Sequence, residues 1–148
     1  MFLWKERTWT CGPTALRIAL EKLGIERTER YLEKILRTTP RTGTPNRNFV
    51  RGVRKLKLEY VVRRNATYKI IEGYMKDGYS VIISFYSMPN KCGHFAVVKK
   101  ITKKRIFLQD PSLGPNLSYS KGYFTKLWYS YYDQQDKKWL LAIKRSSS

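Results

Sequence analysis

Three side chains in this sequence have the types and settings that nucleophilic catalysis requires: Cys11, His94 and Asp110. Cys11 lies in Thr10-Cys11-Gly12-Pro13-Thr14-Ala15-Leu16, where a turn becomes a helix. Proline suits the first helical positions, because its missing N–H needs no partner there. A thiol at a helix N-terminus meets the positive end of the macrodipole, which favours the thiolate. A thiolate, a base and an acid to orient the base are the minimum for cysteine-based acyl chemistry. His94, in Gly93-His94-Phe95-Ala96-Val97-Val98, is the only histidine and hence the only imidazole base. Asp110 opens Asp110-Pro111-Ser112-Leu113-Gly114. An Asp-Pro pair is also a common turn former, so Asp110 has a second, purely local reading.

The elements that must position these groups are legible. Ala15, Leu16, Ala19, Leu20 and Leu23 follow Cys11 at helical spacing, and Gly24 provides a stop. Thr28 can cap a second helix carrying Tyr31, Leu32, Ile35 and Leu36. Pro40 to Pro45, with Gly43, is a loop. A third helix carries Phe49, Val53 and Leu56. Leu58, Tyr60 and Val62 alternate as in a strand, and Tyr68 to Asp77 is a short helix closed by Gly78. Strands follow over 80–86, 94–101, 105–109 and 139–144, with helical spacing at Phe124, Leu127 and Trp128. Helices first and antiparallel strands second indicate an α+β domain, expected over 1–145 with 146–148 as a disordered tail. A tight turn at Thr102–Lys104 pairs residues whose numbers sum to about 205–207 by antiparallel ladder counting. His94 and Asp110 then lie at the same end of adjacent strands.

The three motifs, in this order, resemble the double-glycine leader peptidase family, papain-like cysteine peptidases that mature bacteriocins. Leu36-Arg37-Thr38-Thr39-Pro40-Arg41-Thr42-Gly43-Thr44 is similar to that family's loop between helices, Asn48-Phe49-Val50-Arg51-Gly52-Val53-Arg54-Lys55-Leu56 to its next helix, and Asp77-Gly78-Tyr79-Ser80-Val81-Ile82-Ile83 to its entry into the sheet. The resemblance covers roughly residues 5 to 128. It implies a papain-like fold, its helical first half packed on an antiparallel sheet. It also implies a peptide or protein substrate, no cofactor, and a Cys11–His94–Asp110 triad with the Cys11 backbone N–H in the oxyanion hole. The family usually carries Gln six positions before the nucleophile; here that residue is Lys5. An ammonium can assist an oxyanion as a point charge but lacks the fixed amide geometry. The alternative is therefore a catalytically impaired peptide-binding module on the same fold, with Trp4, Trp9, Tyr123 and Trp128 as groove aromatics.

Composition narrows the rest. At 148 residues the chain suits one domain with a real core. No apolar run approaches a membrane span, and the N-terminus carries no basic-then-apolar secretory pattern. Two cysteines cannot make a disulfide framework, which favours a reducing, cytoplasmic setting. Cys92 lies two residues before His94, so on a strand both share a face; it is a loop thiol or a redox partner of Cys11. A zinc site from Cys11, Cys92, His94 and Asp110 is a further reading of the same residue types. The net charge of +19 is spread evenly, with sixteen basic and six acidic residues through Arg64 and fourteen and five after it. The densest stretch, Arg47 to Arg64, holds seven basic residues against Glu59. Non-specific binding of nucleic acid or another polyanion is expected at low salt; even spreading argues against a sequence-reading groove.

Overall fold

The structure is a computed structural model that describes residues 9–130 and 136–146. Helix α1 (Cys11–Lys22) is the longest helix among them and the centre of one half. Its Ala15, Leu16, Ile18, Ala19 and Leu20 are buried, and Gly24 ends it with φ 76°, its N–H reaching Glu21 O at 3.0 Å. That left-handed φ is the one a helix-ending glycine supplies without strain. Helix α2 (Glu29–Ile35) is capped by Thr28, whose Oγ1 accepts from Tyr31 N at 3.1 Å. Such a cap stabilises a helix by about 1 kcal/mol. Helix α3 (Asn46–Lys55) buries Phe49, Gly52 and Val53. Its Gly52 is pressed on α2: a Cβ there would lie 2.6 Å from Leu36 Cδ2.

The sheet is six-stranded and antiparallel throughout: β1 (Glu59–Arg63), β2 (Ser80–Ser87), β3 (Cys92–Ile101), β4 (Arg105–Asp110), β5 (Gly114–Ser120) and β6 (Leu140–Lys144). Their spatial order is β1-β6-β2-β3-β4-β5, so the last strand slots between the first and second. Two more helices complete the fold: α4 (Tyr68–Lys76), capped by Thr67, and α5 (Lys121–Leu127), capped by Ser120.

Period-2 alternation builds two cores. Ile82, Phe95, Val97, Leu141 and Ile143 pack under α1, α2 and α3 together with Trp139. Val81, Ile83, Phe85, Ala96, Val98, Leu140 and Ala142 form the opposite face, covered by Ile71 of α4 and by Phe124 and Trp128 from α5 and its end. Helices thus cover both faces of the sheet.

The β3–β4 register is the one that a turn at 102–104 demands, with Val97↔Gln109 and Ile101↔Ile106 and a bulge between Val98 and Lys100. Strand β5 is an addition that the sequence pattern did not disclose. It opens with Gly114, at φ 102°, and Pro115, and it forms the sheet edge, where proline is tolerated. At the C-terminus, Ser146 is held by its Oγ donating to Lys57 O at 2.6 Å, and Arg145 donates to Leu23 O and Gly24 O. Residues 147 and 148 lie outside the described residues.

Candidate active site

Cys11 begins α1, His94 is the third residue of β3, and Asp110 ends β4. Cys11 packs half-buried against the core under α1, whereas the His94 ring lies edge-on to Phe85 of the opposite core, centroids 5.7 Å apart. The two therefore meet at the end of the sheet where the two cores converge.

His94 and Asp110 are 2 % and 0 % exposed, so their interaction is shielded from water and salt. Nε2 of His94 lies 2.9 Å from Oδ1 of Asp110. A carboxylate accepts, so the ring donates through Nε2 and presents Nδ1 as its remaining nitrogen. Cys11 is the second side-chain hydrogen-bond partner of His94. The same Oδ1 accepts from the backbone N–H groups of Ser112 at 2.8 Å and Leu113 at 3.0 Å. The two readings of Asp110 are thus compatible: one oxygen builds the Asp-Pro turn and anchors the imidazole. Asp110 Oδ2 is buried and makes no hydrogen bond among the described residues. Its charge is felt nearby: after burial itself, Asp110 is the next cause that holds the Tyr119 phenol above its usual pKa.

Burial is the largest influence on His94 and pulls its pKa down, since a buried cation loses hydration. Hydrogen bonds to Asp110 and Cys11, and the charges of both, outweigh it and push the value from 6.5 up to about 9. His94 is therefore an imidazolium at neutral pH, clasped between two acidic partners. The start of α1 reinforces the anionic side. The N-cap residue Thr10 makes no side-chain cap and the helix's own first turn holds no acid, so nothing within α1 itself offsets the positive end of its macrodipole.

Neighbouring segments brace this corner. Thr44 packs on Gly12: a Cβ there would fall 2.4 Å from Thr44 Oγ1 and 2.7 Å from Thr44 Cβ. Thr44 Oγ1 is in turn 2.6 Å from Thr38 Oγ1, and the loop between them is closed by Gly43 N donating to Thr39 O at 2.8 Å. Thr14 Oγ1 donates to Glu29, buried at the start of α2, which ties α1 to α2. Asn46 Nδ2 donates to Ser130 Oγ at 2.7 Å and to Asp136 Oδ2 at 2.9 Å, and Ser130 Oγ donates to Ser84 Oγ on β2. Sequence reasoning did not single out Thr44, Phe85 or the Ser112 and Leu113 amides. The Thr-rich loop signalled Thr44 and the Asp-Pro turn the two amides; no motif signalled Phe85.

Other expected site features fare differently. Lys5 and Trp4 lie outside the described residues. Trp128 is not a groove aromatic: it is 2 % exposed, donates Nε1 to Trp139 O and packs on Phe124 and Tyr68. Its bulk stabilises more as core than as exposed surface. Tyr123 is 44 % exposed on α5. Cys92 pairs with Ser87 in the ladder and is not joined to Cys11 by a disulfide. Among the described residues no three His, Cys, Asp or Glu side chains gather as a metal centre would need. Nor, among them, is any helix long and apolar enough to cross a membrane.

Comparison with known proteins places this geometry. Residues 3–132 match the profile of the peptidase C39 family. No curated protein sequence matches the chain. Among solved structures, the peptidase domain of Streptococcus ComA, a bifunctional ABC transporter of a quorum-sensing pathway, superposes with a TM-score of 0.74 at 19% identity, covering 97% of each chain. A double-glycine-motif protease from an AMS/PCAT transporter, solved with its leader peptide, also gives 0.74 at 19% identity, covering 99% of this chain and 91% of that one. The peptidase domain of Streptococcus mutans ComA gives 0.67 at 18% identity, covering 95% and 96%. At these identities the structural likeness establishes the papain-like fold.

Proposed function

This chain belongs to the peptidase C39 family, and from that premise we propose that it cleaves peptide bonds with Cys11 as nucleophile, His94 as acid and base, and Asp110 as the group that orients His94. One observation carries the reading: the chain's only imidazole is buried, hydrogen-bonded through Nε2 to Asp110, and has Cys11 as a further hydrogen-bonding and charged partner. An imidazolium and a helix N-terminus beside one thiol both favour the thiolate, which is the attacking species.

The steps follow from that arrangement. Cys11 Sγ bonds to the scissile carbonyl carbon, and the carbonyl π pair moves to oxygen. The Cys11 backbone N–H, at the start of the helix, donates to that oxyanion. His94 gives its proton to the leaving amine as the C–N bond breaks, which leaves a thioester. Two of the influences that raise the His94 pKa come from Cys11. Both vanish once the sulfur is acylated, so His94 gives up its proton more readily at that point. The neutral ring then takes a proton from water, which attacks the thioester and releases the Cys11 thiolate. Asp110 holds the ring throughout without entering the bond changes.

For the substrate we propose a leader-type peptide, since a protease of the same fold was solved with its leader peptide bound. Lys5 is proposed to assist the oxyanion in place of the family's Gln. The competing reading is a peptide-binding module that retains its thiol, motivated by that Lys. Profiling with a diverse peptide library tests both. Cys11→Ala and His94→Ala are expected to abolish hydrolysis and Asp110→Asn to leave a fraction of it. Equal hydrolysis by wild type and Cys11→Ala would refute the triad. A wild type that is alkylated at Cys11 by iodoacetamide yet cleaves no peptide would establish the binding module.

A further inference from the structure

Helices α2 and α3 together present a cationic face. On α3, Arg47, Arg51, Arg54 and Lys55 recur at three- and four-residue spacing and so share one side of the helix. All four are exposed, as are Lys34 and Arg37 at the end of α2. Two open clefts of about 470 and 680 Å³ meet at Arg51. The first is lined by Arg47, Arg51 and Arg54; the second has Lys34, Arg37, Arg51 and Lys55 around an apolar floor of Tyr31 and Ile35. Among the described residues no carboxylate lines either cleft. Among the described residues, the ion pairs of lysine and arginine involve Arg17, Arg64 and Lys144 and none of these six cations. Arg54 is steadied by Tyr60, its Nε donating to the phenol oxygen at 2.8 Å. So dense a like-charged cluster repels itself, and that repulsion falls when anions bind.

Its position relative to the candidate active site gives the cluster a use. Thr44, whose side chain touches Gly12 beside Cys11, precedes Arg47 by three residues. From Arg47 to Arg54 the helix rises about 10 Å at 1.5 Å per residue, which about three residues of extended peptide match. The stripe thus starts next to the first turn of α1. We propose that α2 and α3 dock an acidic segment of the substrate peptide, with carboxylates on Arg47, Arg51 and Arg54 and an apolar side chain over Tyr31 and Ile35. This rests on the peptidase reading above. The apolar floor and the shortness of the stripe favour a peptide over a nucleic-acid backbone, which needs a longer phosphate track and carries no apolar side chains. Arginine suits the task, since its planar fork holds a carboxylate through two parallel hydrogen bonds.

The test uses full-length protein carrying Cys11→Ala, so binding is read without turnover. The probe is a fluorescent peptide with three glutamates around one leucine, beside its glutamine counterpart and an oligothymidylate of equal length. Arg47→Glu with Arg51→Glu is compared with Lys69→Glu and Lys76→Glu on α4, which changes the net charge equally. The milder Arg47→Gln with Arg51→Gln serves if the reversal unfolds the chain. The acidic peptide is expected to bind at least tenfold more tightly than its glutamine counterpart. The α3 pair should lose about tenfold or more of that binding, and the α4 pair about twofold or less. Equal losses from both pairs would overturn the proposal, because the general field of the protein would then suffice. So would an α3 loss seen for the oligothymidylate and not for the peptide, which would make the face a nucleic-acid surface. Alkylation of wild-type Cys11, scored separately, reports on the thiol site, so its failure is distinguishable from failure of the docking face.

Discussion

The protonation state of His94 is the sharpest consequence of this geometry, and one measurement reads it. His94 is the only histidine, so isotope-labelled histidine yields a single imidazole spectrum in NMR. Its pKa stands at about 9 against an ordinary 6.5. That difference of roughly 2.5 corresponds to about 3–4 kcal/mol in favour of the charged ring at about 1.4 kcal/mol per pH unit. The wild-type resonance should therefore titrate near pH 9. In Cys11→Ala the midpoint should fall, because a hydrogen bond and a charge that favour the cation are gone. Asp110→Asn should lower it too, and with both changes burial acts unopposed and takes the midpoint below 6.5. The folded-state pKa is raised above the unfolded one, so this group stabilises the fold fully below about pH 6.5. That contribution shrinks as the pH rises from 6.5 and is gone above about 9. Urea unfolding of wild type against His94→Gln should thus differ by about 3 kcal/mol more at pH 6 than at pH 9.5. A wild-type midpoint at or below 6.5, or one unmoved by Cys11→Ala, would refute the clasped imidazolium.

Gly12→Ala should destabilise the fold by about 1–3 kcal/mol in urea unfolding, because its Cβ would collide with Thr44. Gly73→Ala, in the interior of α4 with nothing within 4 Å of its Cβ, should stabilise by about 0.5–1 kcal/mol. The contrast separates a packing constraint from helix propensity. Lys5→Gln should preserve or raise peptide turnover, and Lys5→Ala should lower it by about tenfold or more if the ammonium serves the oxyanion. An active enzyme indifferent to both would leave Lys5 without a catalytic role.

What the sequence by itself determined is local. The helix from Cys11 with its Gly24 stop, the Thr28 cap, the α4 helix closed by Gly78 and the β3–β4 register were all legible, because each depends on residues a few places apart. Apolar periodicity, capping hydroxyls and turn residues encode such contacts directly. The pairing of His94 with Asp110 was legible for the same reason, since one hairpin joins them. Strand β5 was not: its opening Gly-Pro and edge position mute the alternation that marks a half-buried strand. The long-range arrangement was decided by tertiary structure alone. Strand β6 enters between β1 and β2, and Thr44 seats on Gly12 from 32 residues away. Asn46 reaches Ser130 and Asp136 across the chain. The gathering of Lys34 and Arg37 with the α3 arginines around shared clefts belongs with these. Composition shows the charge; only the packing of one helix on another, through Gly52 against Leu36, concentrates it on the shared face of α2 and α3. The physical reason is common to all of them. Contacts between distant segments arise from mutual fit of buried surfaces, and no single stretch of chain contains both halves of that fit.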